Sequence, residues 1–392
     1  MSHYKYLIIG GGMTADAAVS GIRQTDLTGS IGLISAESDP PYNRPPLSKR
    51  LWQGQPLKSI WRETESQGVE LHLGRKVQAI DPQGKSVTDD QGKGYTFEKL
   101  LLATGGTPRR LPFGNTQIIY FRTLVDYQRL RVLAEQKQRF AVIGGGFIGS
   151  EIAAALAMNG RKVVMIFPGQ GIGERIFPPD LARFLNAYYR KKGIEVLSGE
   201  LVIDLQEHGE QLVLKTKRGQ EIVVDGVVAG LGIEPNTELA RQAGLKVENG
   251  ILVDEFLRTS NPNIYAAGDV ANFFNPTLYT RLRVEHEDNA NTMGQMAGRS
   301  MAGDAVAYHH LPYFYSDMFD LGYEAVGNLN PELETIVDWQ DPYRKGVIYY
   351  LQEGQVRGVL LWNVWGQVEA ARSLISEPSP VRPQDLQERL PA

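Results

Sequence analysis

Two short glycine-rich stretches carry the clearest chemical signal in this 392-residue chain. In the first, the apolar run YKYLII leads into Gly10, Gly11, Gly12, Met13, Thr14 and Ala15. In the second, FAVI leads into Gly144, Gly145, Gly146, Phe147, Ile148 and Gly149. Both follow the pattern G-x-G-x-x-G/A, with Ala15 in the third slot of the first copy. The three slots do different physical work. The first glycine makes a tight turn, the second lets backbone approach a pyrophosphate, and the third lets a helix pack close to the preceding strand. The diphosphate then sits at a helix N-terminus, where free N–H groups and the dipole favour an anion. One such turn is a weak signal. Two imply two dinucleotides, or one dinucleotide and a degenerate repeat, and the motifs downstream favour two. The candidate contacts are Gly10, Gly12, Met13, Thr14 and Ala15 in one turn and Gly144, Gly146, Phe147, Ile148 and Gly149 in the other.

Such turns need a strand before them and a helix after them. Residues 4–9 and 140–143 read as the strands; Ala17, Ala18 and Ile22 continue one helix, and Ile152, Ala153, Ala154 and Ala155 the other. The second strands are expected at 31–35 and 162–167. An acid just beyond this strand receives a ribose hydroxyl in dinucleotide folds, and Glu37 stands there in the first copy. The second copy has Phe167, Pro168 and Gly169 instead, which leaves NADH against NADPH open. Arg175 is a candidate for adenosine-side phosphate or ribose contacts, or an exposed loop charge. The stretch VVAGLGIEPN closes this copy, and its Gly230 and Gly232 would let backbone approach a nicotinamide.

Composition bounds the rest. With 42% hydrophobic and 22% charged residues, the chain suits a globular protein of two or three domains. A net charge of -4 argues against general nucleic-acid binding, and no apolar run is long enough to span a bilayer. The first strand begins almost at Met1, so the expectation is no signal or transit segment and a cytoplasmic location. There is no cysteine. A disulfide framework, a thiolate metal site and a redox dithiol are thereby excluded, no metal site is expected, and electron chemistry falls to bound cofactors.

Residues 39–52 read DPPYNRPPLSKRLW, with four prolines stiffening the segment and a helix able to begin after Pro45 and Pro46. The run PYxRPPLSK resembles a signature of the FAD-dependent ferredoxin reductase family, within the pyridine nucleotide-disulfide oxidoreductase superfamily and including apoptosis-inducing factor. That resemblance implies that Arg44 and Lys49 contact a flavin, that Pro45 and Pro46 line it, and that Lys49 pairs with Glu151 as the catalytic couple beside flavin N5. It implies adenine contact by backbone at Val77 and a second FAD element at Ala103, Thr104 and Gly105. It also implies ribityl and pyrophosphate contacts through Gly268 and Asp269 of NIYAAGDVA. Residues 283–298, RVEHEDNANTMGQMAG, read as a helix whose N-terminus would face flavin N1 and O2. There Glu285 and His286 match an RVEHxD motif of apoptosis-inducing factor, with His286 either a flavin contact or a helix cap. Phe147 is either core or stacks near the nicotinamide. Tyr315 is either a cover for the flavin edge or, like Trp362 and Trp365, strand packing.

Between these motifs, a short amphipathic helix is expected after Trp61, a hairpin at 86–88 and 95–97, and a separate buried strand at 100–103. Helices are expected at 121–135 and 180–192, with a meander through Val213 and Val223. From His309 the chain turns to aromatic strands, with a hairpin turning at Glu353 and Gly354, a helix at 368–375 and a loosely held tail from Glu377. The expected architecture is α/β: two doubly wound dinucleotide-binding domains plus a C-terminal α+β domain. The FAD domain takes 1–116 and 247–308, the NAD(P)H domain 117–246 and the C-terminal domain 309–392. The implied function is transfer of hydride from NAD(P)H to flavin, then of electrons to ferredoxin, rubredoxin or a small acceptor such as a quinone. The alternative is an apoptosis-inducing-factor-like flavoprotein of slow turnover, in which reduction switches dimerisation or partner binding. A homodimer is one open arrangement.

Overall fold

A computed structural model describes residues 1–114, 116–377 and 380–390. They form two compact units: Met1–Arg44, Leu57–Thr107 and Glu234–Pro312 in the first, and Pro45–Pro56, Pro108–Ile233 and Tyr313–Ala392 in the second.

The first unit is built on a seven-stranded sheet whose centre is the parallel pair Ser2–Ile9 and Gly94–Leu102. Ile31–Ile34 and Val69–His72 extend it in parallel on one side. The antiparallel strands Ser86–Asp89 and Val77–Asp81 extend it on the other. Ile264–Ala266 returns late in the chain to pair with Leu100, Leu101 and Leu102. The hairpin strand and the buried strand expected separately are therefore one strand. Its first half alternates buried Tyr95 and Phe97 with less buried neighbours, and its second half, Leu100 to Leu102, is fully buried on both faces. A change of burial pattern within one element reads, in sequence, as two elements.

Helix Met13–Thr25 follows the first glycine turn and packs on helix Glu287–Met301. The two backbones are in contact. A Cβ on Gly298 would lie 2.0 Å from the Ala18 carbonyl oxygen, and one on Gly21 would lie 2.0 Å from that of Gln295. The second helix begins at Glu287, not Arg283 as expected. Residues ahead of it are non-helical, and His286 holds the N-cap position with extended backbone and no capping side-chain hydrogen bond.

The second unit contains a five-stranded parallel sheet in the order Glu195–Ser198, Lys162–Phe167, Arg139–Ile143, Gly226–Ala229, Ile118–Tyr120. A three-stranded antiparallel meander, Val202–His208, Gln211–Thr216 and Glu221–Val224, shares its core. The C-terminal stretch adds a five-stranded antiparallel sheet ordered Tyr313–Met318, Leu321–Gly327, Gln355–Trp362, Lys345–Gln352, Glu334–Asp341, with helix Val368–Ile375 beside it. Its hairpin turns through Glu353 and Gly354, both at positive φ. The expected helix after Pro45 and Pro46 is instead two 3-10 turns, Pro45–Ser48 and Arg50–Gln53, the second ended by Gly54 at φ 91°. In the first unit, the helix expected after Trp61 is likewise a single 3-10 turn, Thr64–Gln67. The tail is not loose where it is described. Leu386 and Leu390 are buried, Val381 donates its N–H to the Gly354 carbonyl, and Glu388 donates to Asp338. Residues 378–379 and 391–392 of that tail lie outside the described residues.

The glycine contact between the two helices of the first unit makes a direct prediction. Gly298→Ala forces them apart and lowers stability by about 1 to 3 kcal/mol, as over-packing does, measured as a fall in Tm. An unchanged Tm would show that the interface yields freely.

Candidate functional site

The two glycine turns are built alike. Gly10 has φ 124° and Gly144 φ 119°, in the region that L side chains rarely adopt. A Cβ on Gly10 would lie 2.1 Å from the Ala103 carbonyl oxygen, and one on Gly144 2.3 Å from that of Gly230. In each copy the first glycine is pressed against the chain leaving a neighbouring strand of its own sheet. Gly12 and Gly146 are the N-cap residues of the following helices, without side-chain caps. A Cβ at either would meet nothing within 4 Å. Open space over uncapped helix N–H groups is what a diphosphate requires, so both turns fit the phosphate bridge of a dinucleotide. At Gly149 a Cβ would lie 2.1 Å from the Gly144 carbonyl oxygen, whereas Ala15 fills the equivalent slot of the first copy, fully buried.

Around the first turn the structure gathers several of the expected residues. A Cβ on Gly268 would lie 2.3 Å from Thr14 Oγ1, and one on Gly294 2.4 Å from the Thr14 carbonyl oxygen. Gly268 donates its N–H to Met293 Sδ at 3.2 Å, so Thr14, which follows Met13, clusters with Gly268, its neighbour Asp269 and helix Glu287–Met301. The Asp269 carbonyl accepts from Arg283 at 3.1 Å, and Arg283 pairs with Glu285 at 2.7 Å. Thr104 hydroxyl donates to the Asn236 carbonyl at 2.9 Å while Asn236 Nδ2 donates to the Thr104 carbonyl at 2.8 Å, fixing the exit through Ala103 and Gly105. Glu37 accepts from Arg44 Nη2 at 2.5 Å and from the Tyr42 hydroxyl at 2.6 Å. Burial alone would loosen the Arg44 proton. The charge of Glu37, with Tyr42, outweighs it and holds the guanidinium above its ordinary range. Val77 stands apart, buried on the edge strand of the sheet opposite Asp89.

One polar network here corresponds to no sequence motif. Asp16, buried on helix Met13–Thr25, accepts from Arg62 Nε at 2.7 Å and from Thr64 at 2.6 Å. Arg62 also donates to Asn43 and Asn291, each at 2.8 Å. It ties the proline segment to both helices. No spacing rule could have paired Asp16 with Arg62.

The second unit holds the charged pair. Glu151 lies on helix Phe147–Met158 with only 3% of its side chain exposed; Lys49, between the two 3-10 turns after Pro45, has 10% exposed. Their separation is 2.7 Å. Two hydroxyls complete the carboxylate: Ser48 donates to Oε2 at 2.5 Å and Ser316 to Oε1 at 2.6 Å. Neither serine stands out in the sequence as a partner of Glu151. They adjoin Lys49 and Tyr315, and that adjacency is the signal that could have found them. The Lys49 ammonium also lies 5.3 Å from the centre of the Tyr315 ring.

Aromatic side chains pack in the same unit. Phe147 meets Phe314 edge-on with ring centres 5.3 Å apart, and fully buried Trp362 stacks on Tyr323. Burial, and then the Glu151 charge, push the Tyr189 and Tyr323 phenols well above their ordinary value, so both stay neutral. Gly230 packs its backbone against Gly144 and Gly149, while Gly232, at φ 81°, leaves open space. Ile148 touches Gly230, and Arg175 is exposed on its loop.

Each glycine turn has the geometry to accept a diphosphate, and the second unit by itself also carries a buried ammonium–carboxylate pair. A family model described as pyridine nucleotide-disulphide oxidoreductase matches residues 4–294, and one described as apoptosis-inducing factor, mitochondrion-associated, C-term matches residues 337–377. The chain belongs to the pyridine nucleotide-disulphide oxidoreductase family. With the family come its oxidoreductase chemistry and the cofactors FAD and NAD(P)H. The chain is 34% identical to apoptosis-inducing factor 1, mitochondrial, of Dictyostelium discoideum, over 96% of this chain and 79% of that one. It is also 34% identical to the 5,5'-dehydrodivanillate O-demethylase ferredoxin reductase subunit of Sphingobium sp., over 91% of this chain and 89% of that one. The reductase in a covalent putidaredoxin reductase–putidaredoxin complex superposes with a TM-score of 0.91 at 29% identity, covering 98% of this chain and 95% of that one. Among the described residues no helix is long and apolar enough to cross a membrane.

Two predictions separate packing from binding. Gly146→Ala keeps Tm but weakens NAD(P)+ binding in calorimetry, because its Cβ points into open space; Gly149→Ala lowers Tm, because its Cβ meets backbone. Glu151→Ala leaves a buried ammonium without its partner and lowers stability by about 3 to 5 kcal/mol. Lys49→Met combined with Glu151→Leu recovers most of that loss in chemical unfolding.

Proposed function

We propose that this chain is an FAD-dependent NAD(P)H oxidoreductase that passes electrons to a ferredoxin-type protein, and that it works in the cytoplasm. Bound FAD would supply the redox chemistry, a hydride acceptor for NAD(P)H and a source of electrons for the acceptor. The first glycine turn, with Thr14, Glu37, Arg44, Gly268 and Asp269, holds the FAD, and the second, with Gly230 and Gly232, holds the nicotinamide nucleotide. Lys49 would supply a cation that favours negative charge arriving on a flavin. Glu151 holds Lys49 in place, and the two serines hold Glu151.

The buried Lys49–Glu151 pair is the observation that carries this reading. Two buried charges are retained where a hydrophobic pair of similar volume is often as stable or more so. A chain without cysteine has no thiol relay, which supports direct delivery of electrons to a separate acceptor. Relatives and solved neighbours named as ferredoxin reductases support a ferredoxin as that acceptor. A second reading, slow turnover with reduction acting as a switch for dimerisation or partner binding, is supported by the match at 337–377 and by the relative named apoptosis-inducing factor.

Anaerobic titration with NADH and NADPH, following flavin absorbance and molecular mass together, tests both. Rapid bleaching at constant mass, with cytochrome c reduction that needs added ferredoxin, is the expected result. A long-lived charge-transfer band with a change in mass would favour the switch instead. In stopped flow, Lys49→Met and Glu151→Gln each bleach the flavin more slowly than the parent, by roughly tenfold or more for loss of a charged contact; parental rates in both would remove these residues from the reaction.

A further inference from the structure

The strand Lys162–Phe167 ends in a place where dinucleotide folds set an acid for the adenosine ribose, and this chain has Gly169 there. Phe167 is not a substitute: it is buried, and its ring lies beneath Gly145, where a Cβ would come within 2.8 Å of it. The volume that a side chain at 169 would take is nevertheless filled. A Cβ on Gly169 would lie 1.9 Å from Glu174 Oε1, 2.3 Å from its Cδ and 2.6 Å from Oε2. The carboxylate of Glu174 has folded back into the position that the motif leaves without a side chain.

We infer that Glu174 is the residue that selects the nicotinamide nucleotide, receiving the adenosine ribose hydroxyls and so favouring NADH over NADPH. The inference rests on the reading of the second glycine turn as the NAD(P)H site. Three features support it. First, the carboxylate is fixed from one side: the Gln170 N–H donates to Oε2 at 2.6 Å, while Oε1 accepts no hydrogen bond among the described residues. Second, the loop that carries Glu174 is tied to the glycine turn itself, since Gly173 donates its N–H to the Gly145 carbonyl at 2.8 Å. Asn186 braces the same loop, accepting from the Ile172 N–H at 3.1 Å and donating to the Gln170 carbonyl at 2.7 Å, and Gly199 donates to the Gly169 carbonyl at 2.7 Å. Third, the chemistry is selective. A carboxylate accepts hydrogen bonds from a vicinal diol, whereas a 2'-phosphate in the same place brings like charges together. Gly169 leaves that space to the carboxylate, which a side chain at 169 would displace.

Glu174→Gln tests this cleanly, because the amide oxygen can still accept from the Gln170 N–H while the charge is lost. The measurement is calorimetric binding of ADP-ribose and 2'-phospho-ADP-ribose to the oxidised holoenzyme, which reads the adenosine side without turnover. The parent should bind ADP-ribose more tightly by roughly ten- to a hundredfold, the range of a charge-assisted hydrogen bond. Glu174→Gln should abolish most of that preference at unchanged Tm, and Gly169→Glu combined with Glu174→Gly should restore it by returning the acid to the strand end. A parent that binds both ligands equally, or prefers the phosphorylated one through Arg175, would overturn the inference, as would a Glu174→Gln ratio within about twofold of the parent's. Binding of neither ligand would overturn the NAD(P)H reading of this turn as well.

Discussion

A carboxylate buried as deeply as Glu151 persists only where its charge is answered and its lone pairs are filled. Here that demand is met by chain segments far apart in sequence: Ser48 and Lys49 after the proline run, Glu151 on the helix of the second glycine turn, and Ser316 on the first strand of the C-terminal sheet. The C-terminal sheet is therefore part of the site's support. Phe314 beside Phe147, the Tyr350 hydroxyl donating to the Ile176 carbonyl, and Asp320 receiving Tyr188 and Lys192 hold it against the parallel-sheet fold of the same unit. Displacing that sheet would strip one hydroxyl from the carboxylate that positions Lys49.

The first unit obeys a different constraint, the close approach of backbones. Gly21, Gly294 and Gly298 let two helices touch, and the same contact brings Gly268 and Met293 against Thr14 at the turn. Close packing is unforgiving of added volume. A methyl group at these positions would move the residues gathered at the first glycine turn, so the glycines far along the helices act on the turn through geometry alone.

The two nucleotide turns, closely alike in their glycine conformations, differ in what lies beyond the second strand. In the first, Glu37 is embraced by Arg44 and Tyr42. In the second, the strand end is bare and a carboxylate arrives from the following loop. The same supersecondary unit thus tolerates two routes to one chemical group, because what a ligand meets is the position of an oxygen and not the residue number that delivers it.

Much was legible in the residues themselves. Glycine at fixed spacing after an apolar run marks both turns because only glycine permits the positive φ of Gly10 and Gly144 and the bare approach at Gly12 and Gly146. The absence of cysteine ruled out thiol chemistry outright. Local pattern failed where burial changes within one element, as in Gly94–Leu102, and where proline and glycine allow only short 3-10 turns, as at Pro45–Ser48. Tertiary structure alone could decide the partnerships: that Ser316 would reach Glu151, that Asp16 would hold Arg62, that the tail would bury Leu386, and that Glu174 would occupy the space beside Gly169. Spacing encodes what a stretch of backbone can do, whereas which side chains meet depends on how separate stretches pack, and no local rule contains that.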